Sequence, residues 1–415
     1  MAVVRPFKGL RPKNQEIAEQ MISLPYDVMN RKEAKEMAGD NPYSFLRIVR
    51  SEINLPDSVE PYSKEVYEKA REVLGDWASQ GILVEDGTPV FYIYRQIMEG
   101  RVQTGLVGCT SIDDYINDII KKHEFTRKEK ELDRINHFDI TDANTEPVFL
   151  TYKKNARINE IVASWTAANK PAYDVVTDDG IAHIVWVLND ASLVEELTGI
   201  FAGIDYLYIA DGHHRSASAV AAGRKRREAN PAYTGEEEFN RFLAVIFPDE
   251  DLYVMDYNRV VKDLNGNSVE EFLAKVKESF QVEEASASPY KPQKKHEYGM
   301  FLEGKWYVLS PKEGSYPAAD PVESLDSAIL QNNLLNPILG IADPRTDKRI
   351  DFIGGIRGLG ELERRCKEDM KVAFALYPVT IEDLMGVADA GMVMPPKSTW
   401  FEPKLRSGLF VHRLS

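Results

Sequence analysis

Residues 205–222 read DYLYIADGHHRSASAVAA. The apolar run from Tyr206 to Ala210 has the makings of a short buried strand, and it stops abruptly at Asp211. Gly212 permits a sharp turn or the close approach of a ligand. A helix rich in small residues, Ser216 to Ala229, follows. Between strand and helix stand His213, His214 and Arg215. A strand that runs into a helix N-terminus favours an anion, because unpaired N–H groups and the helix dipole act in the same direction. Arg215 suits bidentate contact with a phosphate. Asp211 can orient a hydroxyl or amine, or hold a metal, and either histidine can stabilise charge or move a proton. The plain alternative makes Asp211 a helix cap and the histidines surface residues. The chain holds only 7 histidines, and two neighbours beside an aspartate and an arginine favour the functional reading.

The organisation around this run follows from pattern. A length of 415 residues suggests two or three domains. Glu60 to Gln80 reads as an amphipathic helix ending near Gly81. Val90 to Gln96 and Val102 to Thr110 read as a hairpin turning at Met98-Glu99-Gly100. A polar, basic stretch from Asp113 to about Arg134 reads as helical, and Pro147 to Tyr152 as extended. In the centre strands and helices alternate: Ile181 to Leu188, Ala191 to Ile200, then the 205–222 run. Phe242 to Phe247 and Leu252 to Tyr257 suggest a hairpin through residues 248–251, and Ser268 to Phe280 a helix. Glu284 to Lys295, with its Ser, Pro and Lys, is the best linker. A further hairpin, Tyr298 to Leu309, and a helix, Ser324 to Leu335, lie beyond it. The class is α+β with mixed sheets. The expected division is an N-terminal α+β region over 1–110, a catalytic core over 111–283 and a C-terminal α+β region over 284–415.

Composition narrows the function. Hydrophobic content of 43% and charged content of 28% are those of a globular protein. A formal net charge of -15, from 51 Lys+Arg against 66 Asp+Glu, disfavours nucleic acid and anionic membranes. A small-molecule substrate is the better expectation. Two cysteines, Cys109 and Cys366, exclude a disulfide framework and a cysteine-based zinc site. With no signal-peptide pattern and no apolar run of the roughly 20 residues that span a bilayer, the cytoplasm is the expected compartment. A homodimer stays open.

Two further clusters carry candidate chemistry. The first is Lys121-Lys122-His123-Glu124-Phe125-Thr126-Arg127, with Lys128, Lys130 and Arg134 following. Its cations suit a polyphosphate, and Glu124 is a candidate general base for a hydroxyl, although such charge runs are usually solvated helix faces. The second is Pro395-Pro396-Lys397-Ser398-Thr399 with Lys404 beyond it, where a lysine and hydroxyls on a proline-stiffened loop suit phosphate. Neither this segment nor Gly354 to Gly360 matches a P-loop or dinucleotide frame.

Taken together, these residues resemble a known group. The Asp-Gly-His-His-Arg run after an apolar strand resembles the signature of SerK-type free serine kinases, in the ParB/sulfiredoxin-like superfamily, over roughly residues 110–260. His123-Glu124 resembles the element that supplies their catalytic glutamate. Over nearly the whole chain, Leu24-Pro25-Tyr26-Asp27, Lys122-His123-Glu124-x-Thr126, Ala210 to Arg215 and Met394 to Thr399 resemble a large family long labelled only as a domain of unknown function. The resemblance implies a ParB/sulfiredoxin-like core with N- and C-terminal additions. It also implies phosphoryl transfer from ATP, ADP or pyrophosphate to free L-serine, with Mg2+ bridging the donor phosphates. Glu124 would be the base, with Asp211, His213 and His214 also catalytic. His123, Asp211, Gly212 and Arg215 would bind the substrate. Thr126, Arg134, His214, Arg215, Lys397, Ser398, Thr399 and Lys404 would bind the donor. Two other readings compete. One is a metal-dependent hydrolase using His123, Glu124, Asp211, His213 and His214, whose side-chain types ligate zinc. The other is a ParB-like nucleotide switch without kinase activity, which the net charge disfavours as a DNA binder.

Overall fold

The structure, a computed structural model, describes residues 1–126 and 128–415, so Arg127 lies outside the described residues. The fold is α+β with a mixed sheet. The chain forms two compact units, one of residues 1–252 together with 403–415 and one of residues 253–402.

The first unit is built on a nine-stranded sheet. Its strands are β1 (Val4–Arg5), β2 (Phe91–Met98), β3 (Arg101–Ser111), β4 (Ile120–Lys121), β5 (Val148–Tyr152), β6 (Tyr173–Val176), β7 (Ala182–Leu188), β8 (Leu207–Asp211) and β9 (Arg241–Pro248). They lie in the order β4-β8-β5-β9-β3-β2-β7-β6, with β1 on β3. The pairs β4/β8 and β5/β9 are parallel and the rest antiparallel. The β2–β3 hairpin forms where expected, because Glu99 and Gly100 take positive φ of 52° and 79°, the geometry of a tight hairpin turn. Helices α1 (Lys64–Ser79), α2 (Lys128–Thr141), α3 (Ala156–Ala168), α4 (Ala191–Phe201) and α5 (His213–Ala229) flank the sheet in sequence. The core joins Phe91, Ile93, Leu150, Trp186, Ile209 and Phe242. Small buried residues on α5, among them Ser216, Ser218, Ala222 and Gly223, let α2 approach closely enough for Ser218 Oγ to donate to Glu131 O at 3.1 Å.

Residues 403–415 close this unit. Ser23 and Ser407 pair, Leu10 and Val411 pair, and His412–Arg413 pairs with Ala143–Asn144. The second unit is a six-stranded sheet, wholly antiparallel, of β10 (Tyr257–Val261), β11 (Phe280–Glu284), β12 (Tyr298–Leu302), β13 (Lys305–Pro311), β14 (Ile350–Gly354) and β15 (Val372–Ala375). Its core gathers Val261, Phe272, Phe280, Tyr298, Met300 and Phe374.

Several expectations need correction. The boundary at 110/111 falls inside β3, and that at 283/284 inside β11, so neither separates domains. Glu284 to Lys295 joins two strands of one sheet rather than two domains. The helix expected from Asp113 to Arg134 is interrupted: Ile112–Ile116 ends, Asp118 takes φ 56°, Ile120 is buried in β4, and only then does α2 begin. The hairpin expected after Phe247 does not form. Val254–Met255 pairs instead with Trp400–Phe401 in the second unit, while Asp251 accepts from Thr104 N–H at 2.9 Å in the first. Among the described residues, no helix is long and apolar enough to cross a membrane.

Two glycines test the packing. A Cβ at Gly223 would stand 2.5 Å from Phe239 O and 2.8 Å from Ile112 Cδ1, whereas at Gly199 it would meet nothing within 4 Å. Gly223→Ala should therefore lose about 1–3 kcal/mol of stability. Gly199→Ala, in α4, should gain roughly 0.5–1 kcal/mol. Urea denaturation of both variants measures the contrast, and equal effects would contradict it.

Candidate active site

The 205–222 run folds as its composition suggests, with one shift. The helix starts at His213, not Ser216, and its N-cap is Gly212 at φ 93° with no side-chain cap. The positive φ alone selects glycine. A Cβ there would also meet the Arg215 guanidinium, with Nε at 3.1 Å. Asp211 is the last residue of β8, just past a register shift against β5. Its Oδ1 accepts the Gly212 N–H at 2.8 Å, and its Oδ2 lies 3.4 Å from Lys404 Nζ and 3.8 Å from Arg215 Nη2. Burial pushes this carboxyl up, but Lys404, Arg215 and the Gly212 N–H outweigh it and hold Asp211 well below the ordinary carboxylate range. Lys404 belongs here because residues 403–415 return to the first unit.

Arg215 is 2% exposed. Its Nη1 donates to Pro147 O at 2.7 Å, while Nε has no hydrogen-bond partner among the described residues. Burial works against its charge, and Asp27, Asp211 and Glu146 more than restore it, so the guanidinium pKa is raised.

His213 and His123 meet edge to face, with ring centroids 4.5 Å apart. The His123 N–H donates to His213 Nε2 at 3.5 Å. That leaves the ring proton of His213 on Nδ1 in the neutral tautomer this bond implies, and Nδ1 is 3.7 Å from Glu124 Oε2. Burial holds both rings neutral: His123 is lowered to about 4 and His213 well below its ordinary value. Neither ring nitrogen of His123 has a hydrogen-bond partner among the described residues. Glu124 itself is exposed, and Thr126 and His214 are half-buried. The structure thus brings together Glu124, His123, His213, Asp211, Gly212, Arg215 and Lys404.

Two features, the buried Glu146 and the stacking of Tyr26 on Arg134, escaped the sequence. Glu146 is buried, accepts Tyr26 N–H at 3.0 Å and Ser407 Oγ–H at 2.8 Å, and lies 3.7 Å from Arg134 Nη1. Burial raises its pKa against the pull of Arg215 and Arg134. Nothing in its surroundings, Asn144-Thr145-Glu146-Pro147, marks it out. Tyr26, within the Leu24 to Asp27 turn, lies under the Arg134 guanidinium at 4.0 Å. Lys397, Ser398 and Thr399 belong to the second unit. There Lys397 Nζ lies 5.6 Å from the Tyr257 ring centroid, and Ser398 Oγ is 2.9 Å from Ser327 Oγ and donates to Pro395 O at 2.7 Å. Among the described residues no group of three or more His, Cys, Asp or Glu side chains converges as a metal site.

Comparison with known proteins adds the following. A family described as "Protein of unknown function (DUF1015)" matches residues 4–328. No curated protein matches the chain. Among solved structures, a mutant of a free serine kinase in complex with AMP is similar at 16% identity and a TM-score of 0.36, over 70% of this chain and 90% of that one. A conserved hypothetical protein from Pyrococcus furiosus is similar at 18% identity and a TM-score of 0.35, over 71% and 92%. SbnI with a C-terminal truncation, from Staphylococcus aureus, is similar at 11% identity and a TM-score of 0.35, over 74% and 87%.

The neutral histidines fix a pH dependence. His123, His183, His137 and His213 all have folded pKa values below the unfolded one. The unfolded chain therefore takes up protons first as pH falls, and stability is lost from about pH 6.5 downward. Each such histidine should remove on the order of 1 kcal/mol between about pH 7.5 and 5.5. Urea midpoints that stay level over this interval would contradict the assignment.

Proposed function

Because the chain belongs to the family described as protein of unknown function DUF1015, its chemistry has to be read from its own site, and we propose that it is a phosphotransferase acting on a small hydroxylated acceptor, with free L-serine the first choice. The observation that carries this reading is the meeting of an ionised Asp211, held by Lys404 and Arg215, with a neutral His213 whose Nδ1 faces Glu124. Phosphoryl transfer needs little covalent help. It needs cations at the moving phosphoryl group, a base at the acceptor hydroxyl and fixed geometry.

Each requirement has a candidate. Glu124, exposed and 3.7 Å from His213 Nδ1, takes the serine hydroxyl proton as the oxygen attacks phosphorus and the bond to the leaving phosphate breaks. Asp211 receives the serine ammonium. Arg215, Lys404, His214 and Thr126 are proposed to contact the donor, which is ATP, ADP or pyrophosphate. The core is proposed to be ParB/sulfiredoxin-like. Magnesium takes one or two carboxylates plus water and substrate oxygens. An ion of this kind would arrive with the donor, held chiefly by donor oxygens and water. It would neutralise charge on the donor phosphates.

The full-length protein should make phosphoserine when incubated with L-serine, Mg2+ and one of ATP, ADP or pyrophosphate, detected by mass spectrometry. Glu124→Gln should lower turnover by about 10²- to 10⁴-fold with donor affinity little changed. Absence of phosphoserine with every donor, from folded protein, would overturn the reading.

A further inference from the structure

A pocket of about 140 Å³ opens between the N-terminal segment and α2, lined among others by Tyr26, Arg50, Tyr62, Tyr67, Lys130 and Arg134. Asp211, His213, Arg215 and Lys404 do not line it. Its deep wall carries buried hydrogen-bond donors with nothing to donate to. Arg134 is 5% exposed, and its Nε is occupied by Asp133 at 2.9 Å. Its Nη1 has no hydrogen-bond partner among the described residues, and the same holds for Tyr26 Oη and Arg50 Nε. Leaving such groups unpaired away from water is costly, and native proteins rarely do so without a reason.

The acids that line the pocket do not supply the missing acceptors. Asp133 accepts from Arg134 and from Tyr67 Oη, and Glu52 pairs with Arg50 Nη2 at 2.8 Å. Asp27 is exposed. Glu146, behind the wall, stands 3.7 Å from Arg134 Nη1, outside hydrogen-bond reach. Lys130 is exposed at the pocket and adds positive charge. Burial, the largest influence on it, keeps the Tyr26 phenol protonated and therefore a donor.

We propose that this pocket is an oxyanion site for a phosphoryl group, as carried by inorganic phosphate, pyrophosphate or a small phosphate ester. Tyr26, Arg50 and Arg134 come from separate segments of the chain and line one pocket. A tetrahedral group with several acceptor oxygens satisfies them together, whereas a planar carboxylate offers two oxygens in one plane. Arg134 is shared with the donor contacts that the resemblance implies, but Asp211, His213, Arg215 and Lys404 do not line the pocket, so binding here and phosphoryl transfer there are read by separate measurements.

Tyr26→Phe separates a binding role from a structural one. It deletes only a hydroxyl with no hydrogen-bond partner among the described residues, so thermal stability should stay level or rise. Affinity for pyrophosphate, titrated calorimetrically into the full-length protein without serine, should fall about tenfold or more. Lys130→Gln, an exposed change, should weaken binding in the same direction. Inorganic phosphate should show the same pattern, and acetate should bind far more weakly. A loss of less than fivefold in both variants, or no binding of phosphate and pyrophosphate at millimolar concentration, overturns the site. Acetate binding as tightly as phosphate overturns the choice of phosphoryl ligand. Phosphoserine formation is read separately, so its absence alongside intact pyrophosphate binding sinks the kinase reading alone.

Discussion

A guanidinium buried to 2% exposure cannot shed its proton, so the chain around Arg215 must surround it with acceptors and negative charge. That requirement organises the first unit. Pro147 O takes one nitrogen, Asp211 lies opposite another, and Asp27 and Glu146 add charge from further segments. Gly212 is the residue that lets the backbone turn against the guanidinium face. Glu146 in turn holds the Tyr26 N–H and the Ser407 hydroxyl, so the N-terminal turn and residues 403–415 both converge on the strand end. An ion cluster of this kind is weak evidence for stability and good evidence for specified geometry.

The same small region keeps its histidines neutral while its acids and arginines stay charged. Burial outweighs the opposing pull of Asp211 and lowers His123 and His213, while Lys404 and Arg215 lower Asp211. Groups with separated protonation states divide acid, base and charge-stabilising duties among themselves. A neutral His213 places its Nδ1 3.7 Å from Glu124 Oε2 without adding a cation beside the proposed base.

The strand–turn–helix at 205–222 was legible because a break in apolar pattern, a glycine and a cluster of rare residue types coincide within a few positions. The hairpins at Glu99-Gly100 and Glu303-Gly304 were legible for a similar reason, since each turn carries its own local chemistry. The helix expected through Asp113 to Arg134 failed because charge composition has no register. Asp118 in the left-handed region and the burial of Ile120 beside Leu207 are tertiary facts. Glu146 and the role of Tyr26 were hidden because their partners, Ser407 and Arg134, are distant in sequence. The two-unit division was hidden for the same reason. Local patterns at residues 252 and 403 do not show that the chain leaves one unit and later returns to it.

That return has a consequence for how the protein comes into being. Asp211 and its partner Lys404 are separated by 193 positions, and all of residues 253–402 are made between them. Domains tend to fold in order of synthesis, yet here the nascent first unit lacks Lys404 beside Asp211 and the partners of Ser23, Leu10 and Asn144 until residues 403–415 are made. The electrostatic balance at Asp211 is reached only once residues 403–415 have emerged. The charge arrangement at the end of β8 is therefore set by a segment made long after the strand itself.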